Sequence, residues 1–277
     1  MDPTTSLPIS LETQIYTETS PTHEHNEDFV LAGDDFVIVL DGATPVPGLE
    51  TGCLHDVPWL VRTLGLRLAA ALTSPTSPTS ASSASSASSA SLAEILEVAI
   101  AEVCEAHAQT CDLTNPSSPS STVALLRVRD GRADYLALAD SSVVFEMADD
   151  SLLAITDDRL DHLGDYSVPA VAEARNTAAG FWVASTVPEA ARHAVTGSLD
   201  LATQPVRAAA VLSDGAATLV ERHGRGWAEL LSILESSGPA ELVRRTRDLD
   251  ETATGRLSGK RHDDATAAWC RFTTPAV

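Results

Sequence analysis

The most constraining feature of this chain is a short apolar run that stops on a carboxylate. Phe36-Val-Ile-Val-Leu40 leads directly into Asp41-Gly42. Five consecutive apolar residues, most of them β-branched, read as a strand buried on both faces. A carboxylate at the end of such a strand is expensive to bury unless positive charge meets it. The pattern recurs. Ala208 to Ser213 runs into Asp214-Gly215, Tyr135 to Ala139 runs into Asp140-Ser141, and Asp263-Asp264 leads into Ala265 to Phe272. Strand ends that each carry an aspartate bring several carboxylates to one edge of a sheet. Hard divalent cations such as Mg²⁺ and Mn²⁺ prefer such oxygen donors.

Composition narrows the classes that can use such an edge. Of 277 residues, 44% are apolar but only 4% aromatic, so the core must be built from Leu, Val, Ile and Ala. The formal net charge of −21 repels phosphate backbones and anionic lipid, which argues against nucleic-acid or membrane-surface binding. It suits cations and basic partners. Met1 to Pro8 lacks the basic start and apolar core of a signal peptide. No apolar stretch approaches the roughly 18 residues of a membrane span. A cytoplasmic protein is the expectation. The four cysteines, Cys53, Cys104, Cys111 and Cys270, match no zinc spacing and read as structural. Cys104 and Cys111 are expected on one helix facing the core, and Cys53-x-His55 offers two metal donors without partners.

The chain reads as an antiparallel β start: a strand from Leu11 to Thr17, a polar turn from His23 to Asp28, then strands at Phe29–Leu31 and Phe36–Leu40. A helix is expected from about Val57 to Leu72, with Pro58 in its first turn. Residues 73–91 are repeats of Thr, Ser, Pro and Ala without charge or bulk, and read as a flexible loop inside one domain of 1–277. Ser91-x-x-Glu94 has the form of a capping box ahead of a helix carrying Leu92, Ile95, Leu96, Ala99 and Val103. Asp130-Gly131 between two apolar runs marks a hairpin over residues 122–139. Strands follow at Val143–Met147, Ser151–Ile155 and Phe181–Ser185, with residues 157–180 irregular between them. Pro188 to Val195 reads as helical. A strand at Val206–Ser213, helices near Trp227–Ser236 and Pro239–Asp248, and a strand at Ala265–Phe272 complete the chain. Antiparallel strands with segregated helices indicate an α+β fold. The lack of βαβ alternation and of a glycine-rich phosphate loop argues against a nucleotide-binding doubly wound sheet.

Taken in order, Asn26-Glu27-Asp28, Asp41-Gly42, Ser121-Thr122, Ala139-Asp140-Ser141, Ser213-Asp214-Gly215 and Asp263-Asp264-Ala265-Thr266 form an ordered set spread over nearly the whole chain. This set resembles the PPM-type (type 2C) metal-dependent protein phosphatases in their divergent bacterial form. The resemblance implies a four-layer αββα sandwich, two antiparallel sheets flanked by helices, with a metal centre at one end. It implies two Mn²⁺ or Mg²⁺ ions and a weak third. Asp41 matches the bridging aspartate, Gly42 the glycine that offers its carbonyl, and Asp214 and Asp263 the ligands of the other ion. Glu27 matches an acidic residue touching the centre partly through water. Asp140 matches an aspartate that helps hold the third ion. The implied reaction is in-line attack of a metal-activated water on a phosphoserine or phosphothreonine, with no covalent enzyme intermediate. The implied partners are a phosphorylated protein and, by family logic, a cognate Ser/Thr kinase.

The sequence also departs from that pattern. His23 stands where the family usually has an arginine that grips the substrate phosphate, and a neutral imidazole lacks the bidentate charged contact. Ala43 replaces a histidine found after Asp-Gly in many members, with His262 as the substitute acid. Thr218 replaces an aspartate that supports the third metal. Two alternatives therefore stand beside an active phosphatase. One is a catalytically weak or inactive pseudophosphatase acting as a regulatory interaction module. The other is an unrelated acidic α+β domain. Substrate choice is expected to lie in residues 157–180, where the family has a variable flap.

Overall fold

A computed structural model describes residues 9–43, 48–74, 90–252 and 261–274. The expectation of a flexible Ser/Pro/Ala-rich loop falls mostly on residues outside that set. Among the described residues, ten strands form two five-stranded sheets, and all the strands pair antiparallel. One sheet has the order β1 (Ser10–Glu18), β10 (Ala265–Thr273), β9 (Val206–Leu212), β6 (Ser142–Met147) and β7 (Leu152–Ile155). The other has the order β2 (Asp28–Ala32), β3 (Phe36–Gly42), β4 (Ser121–Arg129), β5 (Arg132–Leu138) and β8 (Val195–Asp200).

The side-chain period of two explains how these strands build three apolar layers. In β3, Phe36, Ile38 and Leu40 face α1 (Val57–Thr73) and α2 (Leu92–His107), while Val37 and Val39 face the other sheet. Between the sheets, Val37, Val39, Ala124 and Leu126 meet Phe145, Val211 and Ala268. On the far side, Ala210, Leu212, Ala267 and Trp269 pack under α4 (Asp214–Glu221), α5 (Trp227–Ser237) and α6 (Pro239–Thr252). The result is the expected αββα sandwich. Small alanines replace aromatic bulk in the layer between the sheets.

The local signals behave as their chemistry requires. Asp56 caps α1 by accepting from the Trp59 amide at 2.8 Å, and Pro58 sits in the first turn. Ser91 and Glu94 form the reciprocal capping box of α2. The β4–β5 hairpin turns through Asp130 (φ 52°) and Gly131 (φ 73°), both in the left-handed region that a two-residue turn needs.

Four expectations are corrected. Phe181–Ser185 is buried but makes only isolated bridges, Ser121 to Ala184 and Arg175 to Phe181, and is not a strand. Pro188–His193 is a 3₁₀ helix, and the following residues form the edge strand β8. Residues 157–180 contain the short helix α3 (Val168–Ala174). Cys111 lies beyond α2, which ends at His107, so Cys104 and Cys111 do not share a helix. No helix among the described residues is long and apolar enough to cross a membrane.

Candidate metal centre

The carboxylates come together because strand ends from both sheets meet at one end of the sandwich. Asp28 opens β2 and lies directly opposite Asp41 in the β2–β3 register. Like charges across an antiparallel pair repel. The carboxyl of Asp41 also hydrogen-bonds that of Asp214, the first residue of α4. Asp140 follows β5 and adds its charge to the same cluster. Burial raises the Asp41 carboxyl well above its ordinary range, and the charges of Asp214, Asp28 and Asp140 raise it further. Burial, with Asp214 the largest neighbouring charge, raises Asp140 to about 7 and Asp28 to about 8. Glu221, at the far end of α4, is raised to about 8 by burial of its carboxyl and by the charges of Asp214 and Asp140, although its side chain still meets solvent.

Asp28 is the residue that sequence reasoning left out of the site. It is 8% exposed, and Ser213 Oγ donates to its Oδ2 at 2.9 Å. Its Oδ1 is buried without a hydrogen-bond partner among the described residues. The signal was its place immediately before the strand expected at Phe29–Leu31; the register that sets it opposite Asp41 carried none. Glu221 carried no signal, because its place depends on Asp214 opening a helix.

Asp264 ties the flanking loop to this end. Its Oδ1 accepts from the Ser20 amide at 2.6 Å and lies 3.1 Å from His23 Nδ1, while its Oδ2 accepts from the Glu27 amide at 2.7 Å. Asp264 therefore orients this loop locally. His23, Glu27 and Asp264 bring donor atoms within 4.8 Å of one another. Asp263 Oδ1 accepts from the Asp264 amide at 3.0 Å. Gly215 lies against this segment so closely that a Cβ would sit 1.9 Å from the Asp264 carbonyl oxygen.

Gly42 is required by close approach. Its amide donates to the Glu27 carbonyl at 3.1 Å, and a Cβ would lie 2.2 Å from Val57 Cγ1 and 2.5 Å from that carbonyl. Ala139, ahead of Asp140, has φ of 61°, a conformation that favours glycine. Its amide donates to Asp157 Oδ2 at 3.2 Å, and Asp157 is gripped by the Arg159 fork at 2.6 and 2.7 Å. Thr218 Oγ1 donates to the Asp214 carbonyl at 3.0 Å inside α4.

His262 has different surroundings from those expected of a general acid. Its ring is buried, with Nε2 3.0 Å from Glu251 Oε1 and Nδ1 3.5 Å from Asp250 Oδ2, so its partners are on α6. Among the described contacts none joins its ring to the carboxylate cluster.

The donor set fits hard divalent cations: clustered carboxylate oxygens, an Asp28 oxygen without a hydrogen-bond partner among the described residues, and mutual repulsion that only positive charge or protonation relieves. A cleft beside this end is lined by Ala43, Thr51, Ser118, Tyr166, Val171 and Arg175.

Two facing antiparallel sheets under helices, with aspartates at one end, define the PPM phosphatase fold. The family model for Protein phosphatase 2C matches residues 22–249, and the chain belongs to that family. No curated protein matches the sequence significantly. Among solved structures, the chain is similar to the catalytic domain of the serine/threonine phosphatase PstP in complex with two manganese ions, with TM-score 0.59, 14% identity, and coverage of 95% of this chain and 99% of that one. It is similar to the PPM Ser/Thr phosphatase MsPP from Mycobacterium smegmatis, with TM-score 0.58, 18% identity, and coverage of 95% and 98%. It is also similar to PppA, described as a key regulatory component of the type VI secretion system in Pseudomonas aeruginosa, with TM-score 0.57, 19% identity, and coverage of 95% and 98%.

Proposed function

We propose that this chain is a metal-dependent protein serine/threonine phosphatase acting on phosphorylated proteins in the cytoplasm, opposite a Ser/Thr kinase that supplies its substrate. The observation that carries the reading is the convergence of Asp41, Asp28, Asp140 and Asp214 at one end of the sandwich. Asp41, Asp214 and Asp263, with the Gly42 carbonyl, would hold two Mn²⁺ or Mg²⁺ ions; Glu27 would contribute from the flanking loop and Asp140 would serve a weaker third site. Bound divalent cations supply Lewis acidity and activate water as a nucleophile.

The chain's own residues prepare that chemistry. Asp264 holds the Glu27 amide and the His23 ring together beside the centre. The fixed strand ends aim short carboxylates with little freedom, so little reorganisation is needed when charge develops on the phosphoryl group. The cleft lined by Ser118, Tyr166 and Arg175 offers a place for the peptide around the phosphorylated residue. Arg175 is half-buried there, and its guanidinium leans on the Pro116 and Ser118 carbonyls at 3.3 and 3.5 Å.

One observation favours the second reading, a pseudophosphatase. The His23 ring is engaged by buried Asp264, so it does not reproduce the phosphate grip of an arginine. Mn²⁺-dependent release of phosphate from a phosphothreonine peptide separates the two. Turnover supports the enzyme; Mn²⁺ binding without turnover overturns it in favour of the pseudophosphatase.

A further inference from the structure

A second cluster of metal donors lies apart from the carboxylates, and its chemistry is different. Cys53 and His55 lie just ahead of α1; His107 is the last residue of α2, and Cys111 lies in the turn that follows. The chain separates these two pairs widely, and the packing of α1 on α2 brings them together. Cys53 Sγ is 3.7 Å from His55 Nδ1, 3.5 Å from His107 Nδ1 and 3.2 Å from Cys111 Sγ. Cys111 Sγ is 3.4 Å from His55 Nδ1. All four donor atoms fall within 4.8 Å of one another.

These distances are those of a tetrahedral site. Zn–S bonds of about 2.3 Å and Zn–N bonds of about 2.0–2.1 Å place sulfur and nitrogen about 3.5 Å apart, and two sulfurs about 3.8 Å apart. The three sulfur–nitrogen separations of 3.4–3.7 Å match directly. The sulfur–sulfur separation of 3.2 Å is shorter than the zinc value by about half an ångström, but far longer than the roughly 2.05 Å of a disulfide. A small side-chain rotation opens it to the zinc value.

The surroundings point the same way. The Leu54 amide donates to Cys111 Sγ at 3.3 Å, the kind of contact that stabilises a coordinated thiolate. Trp59 stacks on the His55 ring at a centroid distance of 4.0 Å and lies 5.2 Å from His107, so an indole walls off the cluster. His107 is only 4% exposed, and its Nδ1 lies 3.5 Å from Cys53 Sγ, placed to bind a metal beside the sulfurs.

We propose that Cys53, His55, His107 and Cys111 form a structural Zn²⁺ site, distinct from the carboxylate centre. Two thiolates and two imidazoles are borderline-soft donors that select Zn²⁺ over Mg²⁺ or Mn²⁺, and four protein ligands leave no open position for catalysis. The ion ties the connection between β3 and α1 to the connection between α2 and β4. The same two segments are already joined by hydrogen bonds from the Asp112 amide to the Gly52 carbonyl at 2.8 Å and from Asn115 Nδ2 to the Glu50 carbonyl at 3.0 Å. Thr51 and Ser118, on either side of that junction, line the cleft beside the carboxylate centre. Zinc therefore holds the wall of that cleft in place.

The test uses the full chain, reduced and stripped of metal, titrated with Co²⁺ and then Zn²⁺. The proposal predicts thiolate-to-cobalt charge-transfer bands and intense tetrahedral ligand-field bands that saturate at one equivalent and vanish when Zn²⁺ is added. The bands persist in Asp41→Asn, whose lesion is in the carboxylate centre, and are lost in Cys53→Ser and in His107→Asn. Two substitutions on different segments guard against a folding defect in one, and the wild-type spectrum stands without either. Absence of thiolate bands in the reduced wild type overturns the proposal. So does a band that survives both substitutions. If mass spectrometry shows a Cys53–Cys111 disulfide that reforms after reduction in the presence of Zn²⁺, the pair is a redox couple and the zinc site is overturned.

Discussion

Replacing Asp214 by Asn should stabilise the metal-free protein while removing its response to metal. Asp214 is the largest neighbouring charge acting on Asp28, Asp41, Asp140 and Glu221. The Asp140 carboxyl moves from 3.8 to about 7. At about 1.4 kcal/mol per pH unit, ionising it in the folded, metal-free state costs about 4 kcal/mol, most of it from burial. Asp214 is the largest charge acting on it after burial, and neutralising one such neighbour relieves on the order of 1–2 kcal/mol. Against it stands the lost interaction of an acidic residue with the α4 N-terminus, about 0.5 kcal/mol. The net gain is about 1 kcal/mol, or about 2–4 °C in Tm. The sign follows from proton linkage. Raised carboxyl pKa values stabilise the folded state fully below the unfolded value near 4, and that stability is lost as pH rises through the folded values of about 7 and 8. The assay is thermal unfolding in EDTA and in Mn²⁺, at about pH 5 and about pH 8. In EDTA at the higher pH the variant should melt above wild type; at the lower pH the difference should shrink. In Mn²⁺ the order should reverse, because wild type gains and the variant does not. A variant that melts below wild type in EDTA at both pH values would refute the electrostatic argument.

Three further substitutions probe the frame of the site. Gly42→Ala drives a methyl into Val57 and the Glu27 carbonyl; it should cost about 1–3 kcal/mol in urea unfolding and weaken Mn²⁺ binding in calorimetry, and wild-type values in both would contradict the packing account. Ala139→Gly relieves a left-handed backbone worth about 1–2 kcal/mol, offset by about 0.4–1 kcal/mol of added unfolded-state entropy, so urea unfolding should show stability unchanged or raised by up to about 1.5 kcal/mol; a clear loss would count against strain at this position. Asp264→Ala releases the Ser20 and Glu27 amides and the His23 ring. It should lower stability by about 3 kcal/mol and speed amide exchange in residues 20–27, while β3 and β4 stay protected; unchanged exchange in that loop would show that Asp264 does not anchor it.

Much of the frame was legible because its signals are local. Phe36 to Leu40 alternates between two buried faces, Asp130-Gly131 can adopt the left-handed turn that a hairpin needs, and Ser91 with Glu94 satisfies the amides of α2. What was hidden depended on pairing. The edge strand β8 is half exposed and carries a glycine, so its own pattern is weak; it exists because β5 supplies a partner. Phe181 to Ala184 is apolar and buried, yet among the described residues it makes only isolated bridges, so burial did not become a strand. The short helix α4 was masked by Asp214-Gly215, which reads as a turn in isolation. Aspartates at strand ends were visible in the sequence, but the register that sets Asp28 against Asp41 was not. The pairing of Cys53 and His55 with His107 and Cys111 was beyond reach for the same reason: it is made by helix packing and not by spacing along the chain.

The central claim is tested most directly by phosphate release from a phosphothreonine peptide as a function of Mn²⁺, in wild type and in Asp41→Asn, with Mn²⁺ binding measured by calorimetry on the same samples. The account predicts turnover that requires Mn²⁺ in wild type, and the loss of both turnover and tight Mn²⁺ binding in the variant. Wild-type protein that releases no phosphate, whether or not it binds Mn²⁺, or turnover that survives Asp41→Asn unchanged, would contradict it.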